Sequence, residues 1–342
     1  MRDFFKKLRI GLWWNHIVPP IIATIYFVVW QSNLLNPSFW LYLLFFITSV
    51  TGFAAFGYFL NDISDIETDR LAGKPNSAFR LSRTSMLFIG GGLFLIGSIP
   101  WIWLPNSLST TGLLVLLILC LIFYSFRPFR LKERGLPGLI CDIHYGHILP
   151  VFIALNVFGI LYGVKWSVGF LSELLLYLLL FAKGFRNILC HQLEDEQDDI
   201  TSGIKTFATL YGMKKTARII NYTLAIESVL LILLFVIYVP ILMIVLSIFS
   251  FVNLLLIISW GTFKLPVKER FTKLRFFLND IYEEWLPLFL VILVVIKHTM
   301  LWWLLPLHLI FFNRGICNIG MDFLKIFKWF SLIIRRFYFE HF

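Results

Sequence analysis

Charged side chains are scarce in this sequence: Asp, Glu, Lys and Arg make up 15% of its 342 residues, whereas 59% are hydrophobic. Soluble domains usually carry about 25% charged residues. Several apolar runs reach the roughly 20 residues that a helix needs to cross a bilayer, without the alternation of a membrane β-barrel. The composition excludes a soluble globular protein and predicts an all-α, polytopic membrane protein, whose helices satisfy their own backbone hydrogen bonds.

Two common chemical signatures are also missing. The four cysteines fall mostly in apolar segments and lack metal-ligand spacing, so buried thiols are expected rather than disulfides or a metal site. No GxxxxGK[ST] motif occurs, which argues against a P-loop nucleotide site. No cleavable signal peptide is apparent; MRDFFKKLRIGLWW predicts a basic flank before the first helix.

The apolar runs predict about nine transmembrane helices in one domain, residues 1–312, followed by a basic amphipathic tail at 313–342. The expected spans are 14–32, 38–60, 84–104, 110–126, 139–162, 168–190, 217–237, 239–262 and 284–306. Glycines in the third span predict close helix packing; they are Gly90, Gly91, Gly92 and Gly97.

The net charge of +10 is concentrated in alternate loops. Lys and Arg cluster before the first span and after the second, fourth, sixth and eighth, whereas the other connections share one lysine. The positive-inside rule therefore places the N-terminus and the charged loops in the cytoplasm, and we expect a prokaryotic cell membrane. This pattern explains the charge better than nucleic-acid binding does. The basic tail is either an interfacial helix or the continuation of a ninth run that re-enters, and its side stays open.

An acidic motif occurs twice, each time at the end of an even-numbered span. In NDISDIETDRLAG, residues 61–73, every fourth position carries a polar group on one helix face: Asn61, Asp65 and Asp69. HQLEDEQDDITSG, residues 191–203, repeats these positions in register as His191, Asp195 and Asp199, so that one constant offset relates all three pairs. The match predicts an internal duplication whose halves present acidic clusters to one shared cavity.

These clusters predict a metal–diphosphate site. Like charges four residues apart repel each other, so ordinary solvated loops explain the pattern poorly. Carboxylate oxygens suit Mg²⁺, which is usually completed by substrate phosphates. Basic residues lie nearby in the sequence: Lys74, Lys205, and Lys132 with neighbouring arginines in YSFRPFRLKERG, residues 124–135. Together they would stabilise a leaving diphosphate.

Residues 61–76 and 191–209 resemble the two Asp-rich motifs of the UbiA-type intramembrane prenyltransferases, and YSFRPFRLK resembles that family's lysine-bearing loop after the fourth helix. The resemblance covers roughly residues 10–306. It implies a helical bundle around a central cavity, in which Mg²⁺ holds a polyprenyl diphosphate between the motifs. It further implies transfer of the prenyl group to a small, often aromatic acceptor, with release of diphosphate.

The resemblance also implies residue roles. One Mg²⁺ would be bound by Asn61, Asp65 and Asp69, and the other by Asp195 and Asp199. The four aspartates would form the catalytic centre. The diphosphate would contact Lys74, Lys132, Lys205, Arg130 and His191.

Three features depart from the family pattern. His191 stands where Asn or Asp is usual, and imidazole is a poorer Mg²⁺ ligand than oxygen, so it would bond a diphosphate oxygen or orient Asp195. NSAFR, with Arg80, replaces the Arg-Pro that usually follows the first motif. The tail has no counterpart. These departures indicate a divergent member and leave its acceptor open.

Further candidates lie inside the spans, where ionisable residues are often functional. Asp142 and His144, with His147, would position the acceptor or take up its proton; alternatively, they bond neighbouring helices. Lys183 and Arg186 precede the second motif and would neutralise its acids or touch the diphosphate.

Three other functions stay open. The same fold could transfer another group, such as a phosphoribosyl group, onto a polyprenyl phosphate. The acids could couple cations in a transporter, although transporter sites usually lie near the bilayer midplane and these acids lie at helix ends. The departures could also mark an inactive lipid-binding partner.

Overall fold

The computed structural model describes residues 10–34, 36–71, 73, 75–164, 169–201, 203, 205–262 and 278–341. These residues form helices, and no β-strand occurs among them, which confirms the all-α prediction. The first part contains α1 (Ile10–Gln31), α2 (Phe39–Ser64), α3 (Ile66–Leu71), α4 (Arg83–Ser98), α5 (Leu108–Ser125), α6 (Leu136–Ile143) and α7 (Leu149–Tyr162). The second contains α8 (Phe170–Glu194), α9 (Glu196–Thr201), α10 (Phe207–Tyr211), α11 (Met213–Tyr238), α12 (Leu242–Thr262), α13 (Leu286–Lys297), α14 (Leu304–Phe311) and α15 (Asn313–His341).

The protein is a multi-pass membrane protein. In the described part of the chain, seven helices are long and apolar enough to cross a membrane, or eight if the bent pair Thr299–Phe311 and Asn313–Ile334 forms one span. The expected number of nine is therefore approximate. The two expected spans that are not among the seven candidates contain α1 and α13. These two helices pack against each other. Helix α13 has 12 residues, but with the preceding π-helical turn it belongs to a continuous helical segment over 278–297, about 30 Å long, whose first part is acidic.

Two π-helical turns interrupt long helices. They are His144–Ile148, between α6 and α7, and Ile281–Trp285, before α13. Each precedes a Leu-Pro pair, at 149–150 and 286–287. Because proline lacks an N–H, the carbonyl four residues earlier loses its helical partner, and a wider turn accommodates this. Residues of both turns line cavities inside the bundle.

Glycine allows α2 and α4 to pack closely. A Cβ atom placed on Gly52 would lie 2.3 Å from the backbone nitrogen of Gly97. The Ser49 hydroxyl also donates to the Gly97 carbonyl oxygen over 2.7 Å. The close approach expected from the third span thus occurs at Gly97. It does not occur at Gly91 or Gly92, where nothing lies within 4 Å of such a Cβ atom among the described residues.

We expect Gly52→Ala to destabilise the protein by about 1–3 kcal/mol, since its methyl group would overlap backbone that cannot rotate away. Thermal unfolding in detergent would measure this. Gly91→Ala is the matched control, because its methyl group meets open space, and it should unfold at or slightly above the wild-type temperature. Equal unfolding temperatures for the two variants would contradict the packing argument.

The chain turns back after α13. At the end of α13, Lys297 Nζ donates to the Trp30 carbonyl oxygen near the end of α1. Helix α14 then runs back along α1, and the Phe311 carbonyl oxygen accepts from Trp14 Nε1 over 3.1 Å. After a bend of 76°, α15 begins beside Glu284, whose Oε1 accepts from Asn318 Nδ2 over 2.6 Å. The ninth apolar run therefore re-enters, and the tail begins at the end of the bundle where α1 starts.

Candidate functional site

The two acidic motifs have the same backbone geometry. Helix α2 stops at Asp65 (φ −104°, ψ 9°), and α8 stops at Asp195 (φ −88°, ψ 1°). The short helices α3 and α9 follow, and each leads to a left-handed glycine, Gly73 (φ 66°) and Gly203 (φ 70°). Glycine adopts this conformation without steric cost. The constant offset between the motifs thus holds in the fold as well as in the sequence.

The chain after each motif is tied back in the same way. Asp62 Oδ2 accepts from the backbone N–H of Ser77 over 3.2 Å. Gln192 Oε1 accepts from the backbone N–H of Phe207 over 2.9 Å. The same offset relates Asp62 to Gln192 and Ser77 to Phe207. Asp62 is buried and also accepts from the Ser77 hydroxyl, so this acid anchors the loop. The constant offset between the two motifs was the sequence signal for this role of Asp62.

Lys132 joins the first motif. Its ammonium donates to Asn61 Oδ1 over 2.9 Å, to Ser64 Oγ over 2.8 Å and to Asp65 Oδ1 over 2.5 Å. Arg130, at a left-handed backbone position, donates to Asp65 Oδ1 over 3.3 Å. Burial lowers the pKa of Lys132, while the Asp65 carboxylate opposes that change. Two of the basic residues predicted to bind diphosphate, Lys132 and Arg130, therefore lie against the predicted metal ligands.

The remaining motif residues differ in exposure. Asp69 Oδ2 accepts from Asn76 Nδ2 over 2.7 Å. Asp199 is buried, whereas Asp195 and Lys205 are exposed. The predicted diphosphate contact Lys74 lies outside the described residues. Within the described ranges, no group of three or more His, Cys, Asp or Glu side chains forms a preassembled metal site.

A cavity of about 490 Å³ joins the two motifs. Asn61 from the first motif and His191 from the second both line it. Along α2 it extends from Asn61 to Phe46, 15 residues or about 22 Å of helix. Much of its wall is apolar or aromatic and includes Phe46, Phe53, Tyr58, Trp101, Leu117 and Tyr124. The matched positions of the two motifs therefore share one cavity with a polar end and a long apolar wall.

The fifth predicted span contributes polar groups to this cavity. Asp142 Oδ1 accepts from the hydroxyl of Tyr145, and the Tyr145 ring packs edge-on against Tyr124 at 5.2 Å. Asp142 and His147 line the cavity. His144 does not: its ring contacts the Tyr177 hydroxyl at 3.1 Å and the Ile140 carbonyl oxygen at 2.7 Å. Of the two acceptor-site candidates Asp142 and His144, the structure brings Asp142 to the cavity.

Asn187 was missed in the sequence. It lies one helical turn before His191, is 7% exposed, and lines the same cavity. Its Oδ1 has no hydrogen-bond partner in the part of the chain that the structure describes. The sequence did contain a signal for Asn187. It continues the four-residue spacing of the second motif, in the order Asn187, His191, Asp195 and Asp199.

At the wall of the cavity, two segments distant in sequence meet. His16 Nδ1 lies 2.6 Å from Glu283 Oε2, and both residues line the cavity. Arg186, by contrast, lies away from it and pairs with Glu227 on α11. The end of the bundle where α1 starts is thus the end that carries the motifs.

These features define a class: helical integral membrane proteins in which two Asp-bearing helix ends flank one aromatic-lined cavity. The sequence profile of the UbiA prenyltransferase family matches residues 18–281, which is more than half of the chain. The protein belongs to this family.

Individual relatives match over shorter ranges. Digeranylgeranylglyceryl phosphate synthase of Sulfurisphaera tokodaii is 30% identical over 175 residues, 49% of this chain and 56% of that protein. The chloroplastic 2-acylphloroglucinol 4-prenyltransferase of Humulus lupulus is 27% identical over 184 residues, 50% of this chain and 43% of that protein. The matches span about half the length of these curated relatives.

Solved structures share the fold. A UbiA homologue from Archaeoglobus fulgidus bound to DMAPP and Mg²⁺ superposes with a TM-score of 0.61 at 14% identity, covering 85% of this chain and 98% of that one. The same homologue bound to GPP and Mg²⁺ gives a TM-score of 0.59 at 13% identity, covering 82% and 96%.

Proposed function

We propose that the protein transfers a prenyl group from a polyprenyl diphosphate to a small aromatic acceptor, in a Mg²⁺-dependent reaction that releases diphosphate. The observation that carries this proposal is the placement of Asn61 and His191, matched positions of the two motifs, on one aromatic-lined cavity. The names of the relatives support it: one is a synthase for a prenylated glyceryl phosphate, and one prenylates an aromatic compound. The Archaeoglobus fulgidus homologue was solved with DMAPP or GPP and Mg²⁺.

The residues present fit Mg²⁺. Hard oxygen donors are the ligands that Mg²⁺ prefers, and the unpartnered Oδ1 of Asn187 adds one to the second motif. The residues that would hold the metal are Asn61, Asp65, Asp69, Asp195 and Asp199, with Asn187 as a sixth. When bound, Mg²⁺ would neutralise charge that develops on the leaving diphosphate.

The chain's own cations would bind the diphosphate. Lys132 and Arg130 already lie against Asp65, so their N–H donors face the same end of the cavity as the metal ligands. Lys74, Lys205 and His191 are proposed as further contacts. Cleavage of the allylic C–O bond leaves a prenyl cation, which the aromatic wall would stabilise and shield from water.

Asp142 is suited to take up the acceptor's proton. When the prenyl carbon bonds to an aromatic ring carbon, that carbon must lose a proton to restore aromaticity. The Asp142 carboxylate lines the cavity, and the Tyr145 hydroxyl fixes its orientation. A carboxylate held in this way can act as a general base.

The test uses purified full-length protein with labelled geranylgeranyl or longer prenyl diphosphates, Mg²⁺ and a panel of aromatic acceptors. We expect labelled product and free diphosphate, both abolished by EDTA and restored by added Mg²⁺. A parallel reaction with a polyprenyl phosphate and a phosphoribosyl donor tests the second group-transfer reaction. Turnover that persists in EDTA, or that occurs only in the parallel reaction, would contradict the proposal.

We also propose an orientation. The Lys and Arg distribution supports a cytoplasmic N-terminus and cytoplasmic motif loops, in a prokaryotic cell membrane. Labelling single cysteines placed in the motif loops of intact cells with an impermeant reagent would test it. Labelling without permeabilisation would contradict it.

For His191 we expect that replacement by Asn preserves or raises turnover. The side chain is 64% exposed at the cavity, and an amide oxygen is a better Mg²⁺ ligand than imidazole. Steady-state diphosphate release across a Mg²⁺ titration would measure this, and His191→Asn should reach half-maximal rate at lower Mg²⁺. Complete loss of activity would show that the imidazole has a role of its own.

A further inference from the structure

The cavity between the two motifs extends deep into the bundle. On α2 its lining residues run from Asn61 at the motif to Phe46, about 22 Å along the helix axis. On α5 they run from Ser125, which precedes the loop that carries Lys132, to Leu114. Lys132 contacts Asn61, so Ser125 and Asn61 mark the motif end of the cavity. Phe46 and Leu114 belong to the opposite end, which we call the far end.

One large ring is fixed at the far end. Trp101 lies in the 3₁₀-helical turn Ile99–Ile102 that follows α4, and it lines the cavity. Its Nε1 donates to Ser49 Oγ over 2.8 Å, and the Ser49 hydroxyl donates in turn to the Gly97 carbonyl oxygen. Pro100 precedes Trp101 and restricts the backbone of the turn. The indole is therefore held by the same close contact that joins α2 and α4.

The interior of the bundle beyond Phe46 is filled. Phe46 is 1% exposed, and its ring packs edge-on against Phe158 at 5.4 Å. Phe158 packs edge-on against Phe39 at 6.1 Å, and both rings are buried and do not line the cavity. Because protein interiors are close-packed, a chain that reaches Phe46 cannot continue in the same direction without displacing these rings.

The distance from the motif to the far end corresponds to a chain length. An isoprene unit has four carbon–carbon bonds along its chain, so with bonds of about 1.5 Å the zigzag unit extends about 5 Å. The distance of about 22 Å from Asn61 to Phe46 therefore holds at most about four extended units. A fifth unit would meet the Trp101 indole or would have to leave the cavity sideways.

We propose that Trp101, held by Ser49 and supported by Phe46, limits the prenyl chain to about four isoprene units. The proposal rests on the proposed prenyl transfer and names the length of the prenyl diphosphate that the same cavity accepts. A longer chain would clash with the indole or fold back on itself, and an overpacked cavity binds its ligand less tightly.

The test compares prenyl diphosphates of increasing length, with full-length protein in detergent, Mg²⁺ and an aromatic acceptor. For the wild type we expect kcat/KM to fall at least about 10-fold from geranylgeranyl to geranylfarnesyl diphosphate, which is one unit longer. Trp101→Ala removes the indole and should raise the ratio of geranylfarnesyl to geranylgeranyl kcat/KM at least about 10-fold.

The matched control is Trp103→Ala. Trp103 is the neighbouring tryptophan, but it is 54% exposed, stacks on Phe45 and does not line the cavity. Its replacement should leave the ratio of geranylfarnesyl to geranylgeranyl kcat/KM within about 2-fold of the wild-type value, as exposed substitutions generally do.

A second variant changes the length limit in the opposite direction and holds even if Trp101→Ala fails to fold. Leu114→Trp adds a ring at the far end and leaves the bond between Trp101 and Ser49 in place. It should shorten the cavity and lower the ratio of geranylgeranyl to farnesyl kcat/KM at least about 10-fold.

A binding measurement distinguishes failure of the length limit from failure of prenyl transfer. Thiolodiphosphate analogues of the same chains resist ionisation, so their Kd can be measured without an acceptor. A length limit in binding, without any transfer, would support the limit and contradict prenyl transfer. Transfer or binding that is equal for geranylgeranyl and geranylfarnesyl chains would overturn the length limit. So would unchanged length ratios in both Trp101→Ala and Leu114→Trp.

Discussion

Replacing Asp65 or Asp195 with alanine is expected to reduce Mg²⁺-dependent diphosphate release about 100-fold or more, because each change removes a charged oxygen ligand from one of two matched metal-binding motifs. Both residues occupy the same position, at the break between a long and a short helix. The loss should therefore be similar in the two variants. Initial rates of release from labelled geranylgeranyl diphosphate, at saturating and limiting Mg²⁺, would measure it.

The matched control for this prediction is Glu67→Ala. Glu67 is an exposed acid on α3, two residues from Asp65 and outside the face formed by Asn61, Asp65 and Asp69. It should retain activity within about 2-fold, as surface substitutions generally do. Asp65→Asn keeps the shape of the side chain that Lys132 contacts, and it separates loss of charge from loss of packing. If Asp65→Ala and Asp195→Ala both kept wild-type turnover, the two-metal proposal would be wrong.

Breaking the Arg186–Glu227 pair is expected to destabilise the bundle by about 3–5 kcal/mol, because the remaining charge would be buried without a partner. Both side chains are fully buried, and Arg186 donates to the two carboxylate oxygens over 2.6 Å and 3.1 Å. A third contact joins Arg186 to Asn279 Oδ1 over 2.7 Å. The pair therefore links α8, which carries the second motif, to α11 and to the segment before the last span.

Thermal unfolding of Glu227→Gln and Arg186→Met in detergent would measure this effect. The Lys325–Asp322 pair on α15 has a similar contact distance, 2.6 Å, but its side chains are 49% and 23% exposed. Lys325→Met should therefore cost at most about 1 kcal/mol. The double variant Arg186→Met with Glu227→Leu should recover much of the lost stability, since an apolar pair leaves no unpaired charge. Equal unfolding temperatures for Glu227→Gln and Lys325→Met would contradict the assigned role.

Local periodicity made part of the site predictable. The four-residue spacing of Asn61, Asp65 and Asp69 is a property of one helix, so the sequence shows it directly. The constant offset between the two motifs then predicted a second element of the same shape, and the breaks at Asp65 and Asp195 have similar dihedral angles. The spans followed from hydropathy, because a lipid environment leaves few alternatives to a helix.

Features that depend on distant segments or on fine helical rotation were not predictable. Arg186 was assigned to the motif by proximity along the chain, yet it pairs with Glu227, 41 residues away. His144 and His147 could not be told apart, because the π-turn at 144–148 determines which of them lines the cavity. The reversal after α13 could be given only as one of two alternatives, since α14 is as apolar as a continuing span would be.

The reversal after α13 bears on how the protein enters the membrane. Helix α14 runs back along α1 after the end of α13, so α13 and α14 form a helical hairpin. The polar tip of that hairpin, Lys297 and His298, contacts backbone carbonyl oxygens of α1 and of Ser32 just beyond it. Helix α1 therefore leaves the ribosome long before the hairpin that packs against it. The contact of α1 with α7 can form before the hairpin is made, whereas its contact with α13 can form only after all the intervening helices have been made.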